Sequence, residues 1–112
     1  MLKKIDIGKE FYHRLANRDD RQGDGKKTAV EFREKYLSDL DNSNVWKDDK
    51  EIIQLDFINV KKLGPSFANE AFAYFTQYAQ PERILKKIKL LNISKVKELI
   101  ILQELKTGYS RK

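Results

Sequence analysis

Apolar residues in this chain occur in short continuous runs and in longer stretches with helical spacing. The densest run covers Glu51–Val60, EIIQLDFINV, and another covers Ile88–Ile93, IKLLNI. Nearly continuous apolar runs of this length are typical of strands buried on both faces of a sheet. They predict a central strand and a further strand at these two places, and the alternation of Ile5 and Ile7 predicts a half-buried strand. A second short strand within Phe11–Leu15 is left open.

Two stretches have apolar residues at the spacing of an amphipathic helix. The first covers residues 28–40, where Thr28 and Glu31 have the spacing of a capping box. The second opens at Ser66, directly after a Gly-Pro pair, and ends before Pro81, because proline cannot continue a helix.

A last helix is predicted over residues 95–106, with Ser94 as its N-cap and Gly108 as its stop. We expect its apolar residues to face the core: Val96, Leu99, Ile100, Leu102 and Leu105. The remaining segments are a charged loop (residues 16–27), a polar connector (residues 41–50) that returns Trp46 to the edge of the core, and a tail (residues 107–112) whose last four residues, YSRK, are expected to be frayed.

This order of strands and helices predicts an α/β fold in a single small domain spanning residues 1–112. We expect a mixed β-sheet of about four strands with the helices packed on it. No internal repeat or low-complexity tract interrupts the pattern.

The composition of the chain indicates the cellular compartment in which the protein is expected. The 112 residues suffice for one domain with a modest core. The absence of cysteine fits a reducing compartment, and no apolar run has the length of a signal peptide or a membrane span. These features predict a cytoplasmic protein without membrane contact.

The formal net charge of +6 is confined to the C-terminal part of the chain. Residues 81–112 carry nine basic and three acidic residues, whereas residues 1–80 are balanced. Such a segment can attract a phosphate backbone or an acidic protein, and the other interpretation is a solvated lysine face. Nucleic-acid binding by the C-terminal strand and helix is therefore the alternative functional hypothesis, although Tyr109 is the one aromatic residue there for base stacking.

No enzymatic or metal-binding motif is present. His13 is the single histidine, so a metal site would depend almost entirely on carboxylates. Ser66, His13 and Asp56 supply the residue types of a Ser-His-Asp triad, but the sequence GPSFA lacks the second glycine of a nucleophile elbow. We therefore expect no enzymatic activity, no cofactor and no metal.

The charged loop is a candidate anion-binding segment. Arginine can donate paired hydrogen bonds to an anionic group, and glycines occur beside a lysine in this loop. The other interpretation is a mobile charged loop, since the sequence lacks the spacing of a phosphate-binding GxxxxGK[ST] loop. The candidate residues are Arg18, Arg21, Gly23, Gly25 and Lys26.

Two polar residues near the strand-to-helix turn each have a structural and a functional interpretation. Asp56 interrupts an apolar strand, where an unpaired carboxylate is costly. It either accepts hydrogen bonds from backbone amides of the next turn or lines the same surface as Ser66. Ser66 is either the N-cap of the following helix or a site at which a phosphate would be stabilised.

The segment from Asp56 through Ser66 resembles the strand-turn-helix of STAS domains, the family of anti-sigma factor antagonists. In that family the phosphorylated serine lies ten positions after the acidic or amide residue that begins the central strand, and Ser66 lies ten after Asp56. Gly64 and Pro65 stand in place of the family's Asp-Ser pair, and Phe67 stands in place of its glycine.

A closer resemblance is to the STAS-like family of small bacterial proteins of uncharacterised activity. It is carried by the Arg/Gly-rich loop Arg18–Gly25, by Glu31-Phe32-Arg33, and by the Ser-Phe-x-x-Glu-x-Phe motif at residues 66–72. The resemblance implies an α/β STAS-like fold and a protein partner of the histidine-kinase-like ATPase type. A regulatory module of this kind would dock its partner at the turn, with Ser66 as the candidate phosphoacceptor. The candidate partner-binding residues are Asp56, Gly64, Pro65, Asn69 and Glu70.

Overall fold

The computed structural model describes residues 3–19 and 27–110. The strands in these ranges are short and parallel, and they lie in two sheets. In the larger sheet, β3 (Ile53–Asp56) lies between β1 (Lys3–Asp6) and β5 (Ile88–Leu91). The smaller sheet pairs β2 (Arg14–Leu15) with β4 (Lys62–Leu63).

Helices connect these strands and cover them. The α-helices are α1 (Ile7–Glu10), α2 (Ala29–Tyr36), α3 (Pro65–Ala71), α4 (Pro81–Lys87) and α5 (Lys95–Thr107). Short 3-10 segments occupy Ser38–Leu40, Ser43–Lys47 and Ala73–Gln77. None of the helices in residues 3–19 and 27–110 is both long enough and apolar enough to cross a membrane.

The predicted α/β class is confirmed, and β3 is the central strand of the larger sheet, as its apolar run predicted. The single mixed sheet is not observed, because the chain forms the helical turn α1 directly after β1. Asp6 caps this turn by accepting a hydrogen bond from the Lys9 N–H (3.2 Å), and Glu10 accepts one from the Asp6 N–H (2.8 Å). Gly8 allows close packing there, since a Cβ would collide with the Asn59 carbonyl. The strand after α1 therefore pairs with β4 and leaves the larger sheet.

Pro81 has a second role that the sequence prediction missed. It ends the helical region before it, as predicted, and it also occupies the first position of α4. Proline suits that position because its missing N–H would have no partner within the helix anyway. The helix expected from Ser66 is also shorter than predicted, since α3 ends at Ala71 and a 3-10 segment follows.

The core is built around aromatic side chains that join α2 to α3. The Phe32 ring lies 5.2 Å from the Phe11 ring and 5.7 Å from the Phe67 ring, measured between centroids. Trp46 is buried, as predicted, and its Nε1 donates a hydrogen bond to the Leu40 carbonyl (2.7 Å). Burying aromatic surface of this extent supplies much of the driving force for folding.

Helix α5 differs from the prediction in the face that it turns toward the core. Ser94 caps it as predicted, with its side chain accepting a hydrogen bond from the Lys97 N–H (3.3 Å). Its buried residues are Ile101 and Leu105, whereas Val96 is 70% exposed and Leu99 is 56% exposed. The inward orientation predicted for Val96 and Leu99 is therefore wrong, because α5 has apolar residues on a wider arc than its neighbours cover.

Candidate functional site

The strand-to-helix turn presents Pro65 and Ser66 to solvent. Gly64 is the N-cap of α3, Pro65 is its first residue, and the Gly64 N–H donates to the Leu15 carbonyl (2.8 Å). The predicted N-cap role of Ser66 is wrong, since the helix already begins at Pro65. The Ser66 side chain is exposed, and it makes no hydrogen bond with any residue that the structure describes.

Asn69 and Glu70, predicted to bind the partner together with residues of the turn, are buried. Their exposed fractions are 1% and 2%, because the face of α3 that carries them lies against α2 and α5. This corrects the expected placement of both side chains. A partner that docks at the turn meets Gly64, Pro65 and Ser66, and it does not reach Asn69 or Glu70 in this conformation.

The Glu70 carboxylate is the centre of a buried ionic cluster. Arg18 Nη1 lies 3.1 Å from Oε1, and Arg33 Nη2 lies 2.9 Å from Oε2. The Tyr109 hydroxyl donates to both oxygens at 3.1 and 3.0 Å. A buried carboxylate requires opposite charge and hydrogen bonds to offset the loss of hydration, and Glu70 has both.

Asn69 joins the same cluster to the C-terminal tail. Its Oδ1 accepts hydrogen bonds from Arg18 Nη2 (3.1 Å) and from the Ser110 N–H (3.0 Å). Its Nδ2 donates to the Gly108 carbonyl (2.9 Å) and to Glu104 Oε1 (3.1 Å). The predicted fraying is therefore wrong for residues 109–110, because hydrogen bonds to Glu70 and Asn69 hold them against α3.

The positive φ of Gly108 allows this return of the chain. Gly108 is the C-cap of α5 with φ of 87°, a conformation that residues with a Cβ rarely adopt. The next residue, Tyr109, donates its N–H to the Thr76 hydroxyl (3.0 Å), and its ring lies 5.1 Å from the Tyr74 ring. Tyr109 thus packs on the segment that follows α3.

The anion that Arg18 binds in this structure is the protein's own Glu70 carboxylate. The other candidate residues of the anion-binding loop lie outside the described residues: Arg21, Gly23, Gly25 and Lys26.

Arg33, which no functional prediction singled out, contributes the second guanidinium of the Glu70 cluster, and its Cζ lies 3.8 Å from the centre of the Tyr74 ring. The signal for Arg33 was present in the Glu31-Phe32-Arg33 motif.

Asp56 lies at the carboxyl end of β3 and is buried. Its Oδ1 accepts hydrogen bonds from Asn92 Nδ2 (3.1 Å) and from the Ile58 N–H (2.9 Å). The Asn92 amide, followed by the Ile58 N–H, lowers the pKa of the Asp56 carboxyl below its ordinary value of 3.8, against the raising effect of burial. These contacts support the structural interpretation of Asp56, which accepts from a backbone amide of the next turn.

Asp56 and Ser66 are not joined to His13 as a Ser-His-Asp triad requires. The His13 side chain makes no hydrogen bond to either residue, although all three are described. In the described part of the chain, no group of three or more histidine, aspartate or glutamate side chains is arranged to hold a metal ion.

An open apolar groove lies beside the turn. One wall is Pro65, the other is the exposed face of α5, and the volume is about 520 Å³. The sequence analysis missed this groove because it assigned the apolar residues of α5 to the core. The lining residues are Pro65, Val96, Leu99, Ile100, Gln103 and Glu104.

The basic C-terminal segment is partly neutralised within the protein. Arg83 Nε and Lys86 Nζ lie 2.9 and 3.4 Å from the two oxygens of Asp49. Lys87 is buried and places its Nζ 2.7 Å from Asp48 Oδ1. These residues are less available to a phosphate backbone than their number in the sequence implied, and nucleic-acid binding stays a prediction.

The two small parallel sheets, the Gly-Pro turn and the helices that cover them make the chain a small α/β domain. The family model of the STAS-like domain of unknown function (DUF4325) matches residues 28–98, and the chain belongs to this family. The resemblance inferred from the sequence is thereby confirmed. No curated protein and no solved structure matches the chain. The matched region contains Arg33, Glu70 and the turn, whereas Arg18 and Ser110 lie outside it.

Proposed function

We propose that this STAS-like protein is a non-enzymatic regulatory module that docks a protein partner at the strand-to-helix turn. The observation that carries the proposal is the continuity of the turn with an apolar groove. Pro65 lines that groove, and the exposed Ser66 follows it directly in the chain. Exposed apolar surface next to polar groups is characteristic of protein interaction sites.

The proposed partner is an ATPase of the histidine-kinase-like type, which the family resemblance implies. The turn suits such a partner because its accessible residues are few and held in place. The Gly64 N–H is bonded to the Leu15 carbonyl, and the Gly64 carbonyl accepts from the Ala68 N–H (3.1 Å). A docking surface fixed in this way loses little conformational entropy when the partner binds.

Isothermal titration of the protein with the histidine-kinase-like ATPase encoded nearest to its gene tests the proposal. Ser66→Arg places a long charged side chain at the turn without touching the core, and we expect it to weaken binding at least about tenfold. Ser38→Arg is the matched control, since Ser38 is an exposed serine outside the turn. Binding that Ser66→Arg leaves unchanged would remove the turn as the docking site.

Phosphorylation of Ser66 by the partner is an extension of the same proposal. The Ser66 side chain is exposed, so an active site can reach it. Added phosphate brings roughly −1.5 to −2 charges to the docking surface and changes its affinity for the partner. Intact-mass measurement after incubation with the ATPase and ATP should show one phosphate, absent from Ser66→Ala. No added mass, or a phosphate that persists in Ser66→Ala, would reject this extension.

A further inference from the structure

Helix α5 carries two faces with apolar residues, one buried and one largely exposed, and Ile100 of the second face is partly buried against the core. Ile101 and Leu105 form the buried face. The other face follows the i, i+3, i+4, i+7 spacing of a helix stripe. Its residues are Val96, Leu99, Ile100 and Gln103, which all line the groove beside Pro65.

This second face has the character of a helix-binding groove. Val96 is 70% exposed and Leu99 is 56% exposed, which is unusual for aliphatic side chains that lie next to each other on one helix turn. Pro65 lies along one side, and the surface is an open, shallow groove of about 520 Å³. An amphipathic helix can lay its own apolar stripe into such a groove.

The charges beside the groove select the kind of helix. Lys95 and Lys106 lie on the same flank of the stripe, since Lys95 is four residues from Leu99 and Lys106 is three from Gln103. Lys62 is exposed on β4, two residues before Gly64. None of these three lysines forms a salt bridge with a described residue.

The acidic residue of the groove is already engaged. Glu104 Oε1 accepts a hydrogen bond from Asn69 Nδ2 (3.1 Å), so its carboxylate faces the tail contacts as well as the groove. Unpaired lysines along one flank attract carboxylates and repel basic side chains. The flank is therefore complementary to an acidic surface.

We infer that this groove binds an acidic amphipathic helix of the protein partner, with apolar side chains against Val96, Leu99 and Ile100 and carboxylates against Lys95 and Lys106. The inference rests on the proposed docking function and specifies the chemistry of the partner. A second copy of the chain is a poorer occupant, because it would bring the same lysines together. Nucleic acid is a poorer occupant as well, because aliphatic side chains offer no platform for base stacking.

A labelled helical peptide provides the test with the full-length protein. The probe has leucines at i, i+3, i+4 and i+7 and glutamates on both flanks, and a scrambled peptide of the same composition is its control. Fluorescence anisotropy should show saturable binding of the probe alone. Val96→Ser with Leu99→Ser should weaken it at least about tenfold. Ile58→Ser, at an apolar residue that is 61% exposed and does not line the groove, should leave it unchanged.

A charge exchange makes the test independent of any loss of stability. Lys95→Glu with Lys106→Glu should weaken the acidic probe about tenfold and strengthen a probe whose glutamates are replaced by lysines. The inference would be overturned if the acidic probe did not bind saturably or if the scrambled peptide bound equally well. It would also be overturned if the serine and glutamate variants bound the probe as the unaltered protein does. A dimer in sedimentation equilibrium that Leu99→Ser abolishes, or displacement of the probe by duplex RNA, would overturn it as well.

The two proposals fail in different ways. If the ATPase binds and Ser66→Arg weakens it while the groove variants do not, the docking function stands and the acidic-helix inference falls. If the ATPase does not bind although the acidic probe binds in the groove, the groove assignment stands and the identity of the proposed partner falls.

Discussion

Arg33 Nη2 lies 2.9 Å from Glu70 Oε2, and this ion pair joins two residues that are 37 positions apart and belong to different sequence motifs. Arg33 closes the Glu31-Phe32-Arg33 motif of α2, and Glu70 belongs to the motif that begins at Ser66. Arg18, from the charged loop, meets the same carboxylate. Residues from all three features that carry the family resemblance therefore meet at the buried Glu70 carboxylate, which holds α2, Arg18 and Tyr109 against α3.

Removal of the Glu70 carboxylate should destabilise the protein strongly. Glu70→Ala leaves the guanidinium groups of Arg18 and Arg33 without their counter-charge in a largely buried setting, and such losses cost about 3–5 kcal/mol. Urea unfolding followed by circular dichroism measures the change. Glu34→Ala, at an exposed glutamate of the same helix as Arg33, should cost much less. Equal effects of the two variants would show that the cluster does not stabilise the fold.

The hydroxyl of Tyr109 should contribute measurably to stability. Tyr109→Phe removes the donor that contacts both Glu70 oxygens while it keeps the ring against Tyr74. Loss of a hydrogen bond to a buried charged group costs about 1–3 kcal/mol, and we expect thermal unfolding to shift accordingly. Tyr12→Phe is the control, because no hydrogen bond of the Tyr12 hydroxyl exists among the described residues. If Tyr109 were in a frayed tail, neither Tyr109→Phe nor Tyr12→Phe would change the temperature of thermal unfolding.

The Asp56 carboxylate should make the free energy of unfolding vary with pH in the acidic range. The hydrogen bond from Asn92 lowers the pKa of Asp56 in the folded state below 3.8. At pH values near and below 3.8, the unfolded state therefore binds more protons at Asp56 than the folded state does. The stabilisation is present above pH 3.8 and is lost as the pH falls through the lower folded-state pKa. Asn92→Gly removes the amide and suits the positive φ of 51° at this position.

Carbon-detected NMR titration of the Asp56 carboxyl checks this prediction. We expect the pKa of Asp56 to rise in Asn92→Gly, and the free energy of unfolding to vary less between neutral and acidic pH than in the unaltered protein. An Asp56 pKa that is the same in both proteins would contradict the assignment of the shift to Asn92.

Local sequence signals predicted the elements that depend on neighbouring residues. Thr28 accepts a hydrogen bond from the Glu31 N–H (3.3 Å), and Ser94 caps α5, as their positions before apolar stretches indicated. Ser66 failed as a predicted cap because proline at position 65 starts the helix earlier and shifts the N-cap to Gly64. A serine that follows a proline at the first helical position lies inside the helix and cannot be its N-cap.

Contacts between distant segments were beyond what periodicity can predict. Helical spacing showed that α5 has many apolar residues, but it does not show which of them a short α3 and a small sheet can cover. Val96 and Leu99 remained exposed for this reason. The burial of Glu70 was equally hidden, since its partner Arg18 is 52 positions away in the chain.

Chemical-shift mapping of the isotope-labelled protein tests the docking surface most directly. Titration with the acidic helical probe should move the amide signals of Ser66 and of the exposed face of α5, at Val96, Leu99, Ile100 and Gln103. The signals of Asn69 and Glu70 should move little, because their side chains are buried in the ionic cluster. Saturable shifts centred on Asp49 and Arg83, or the absence of saturable shifts at the turn and α5, would contradict docking at this site.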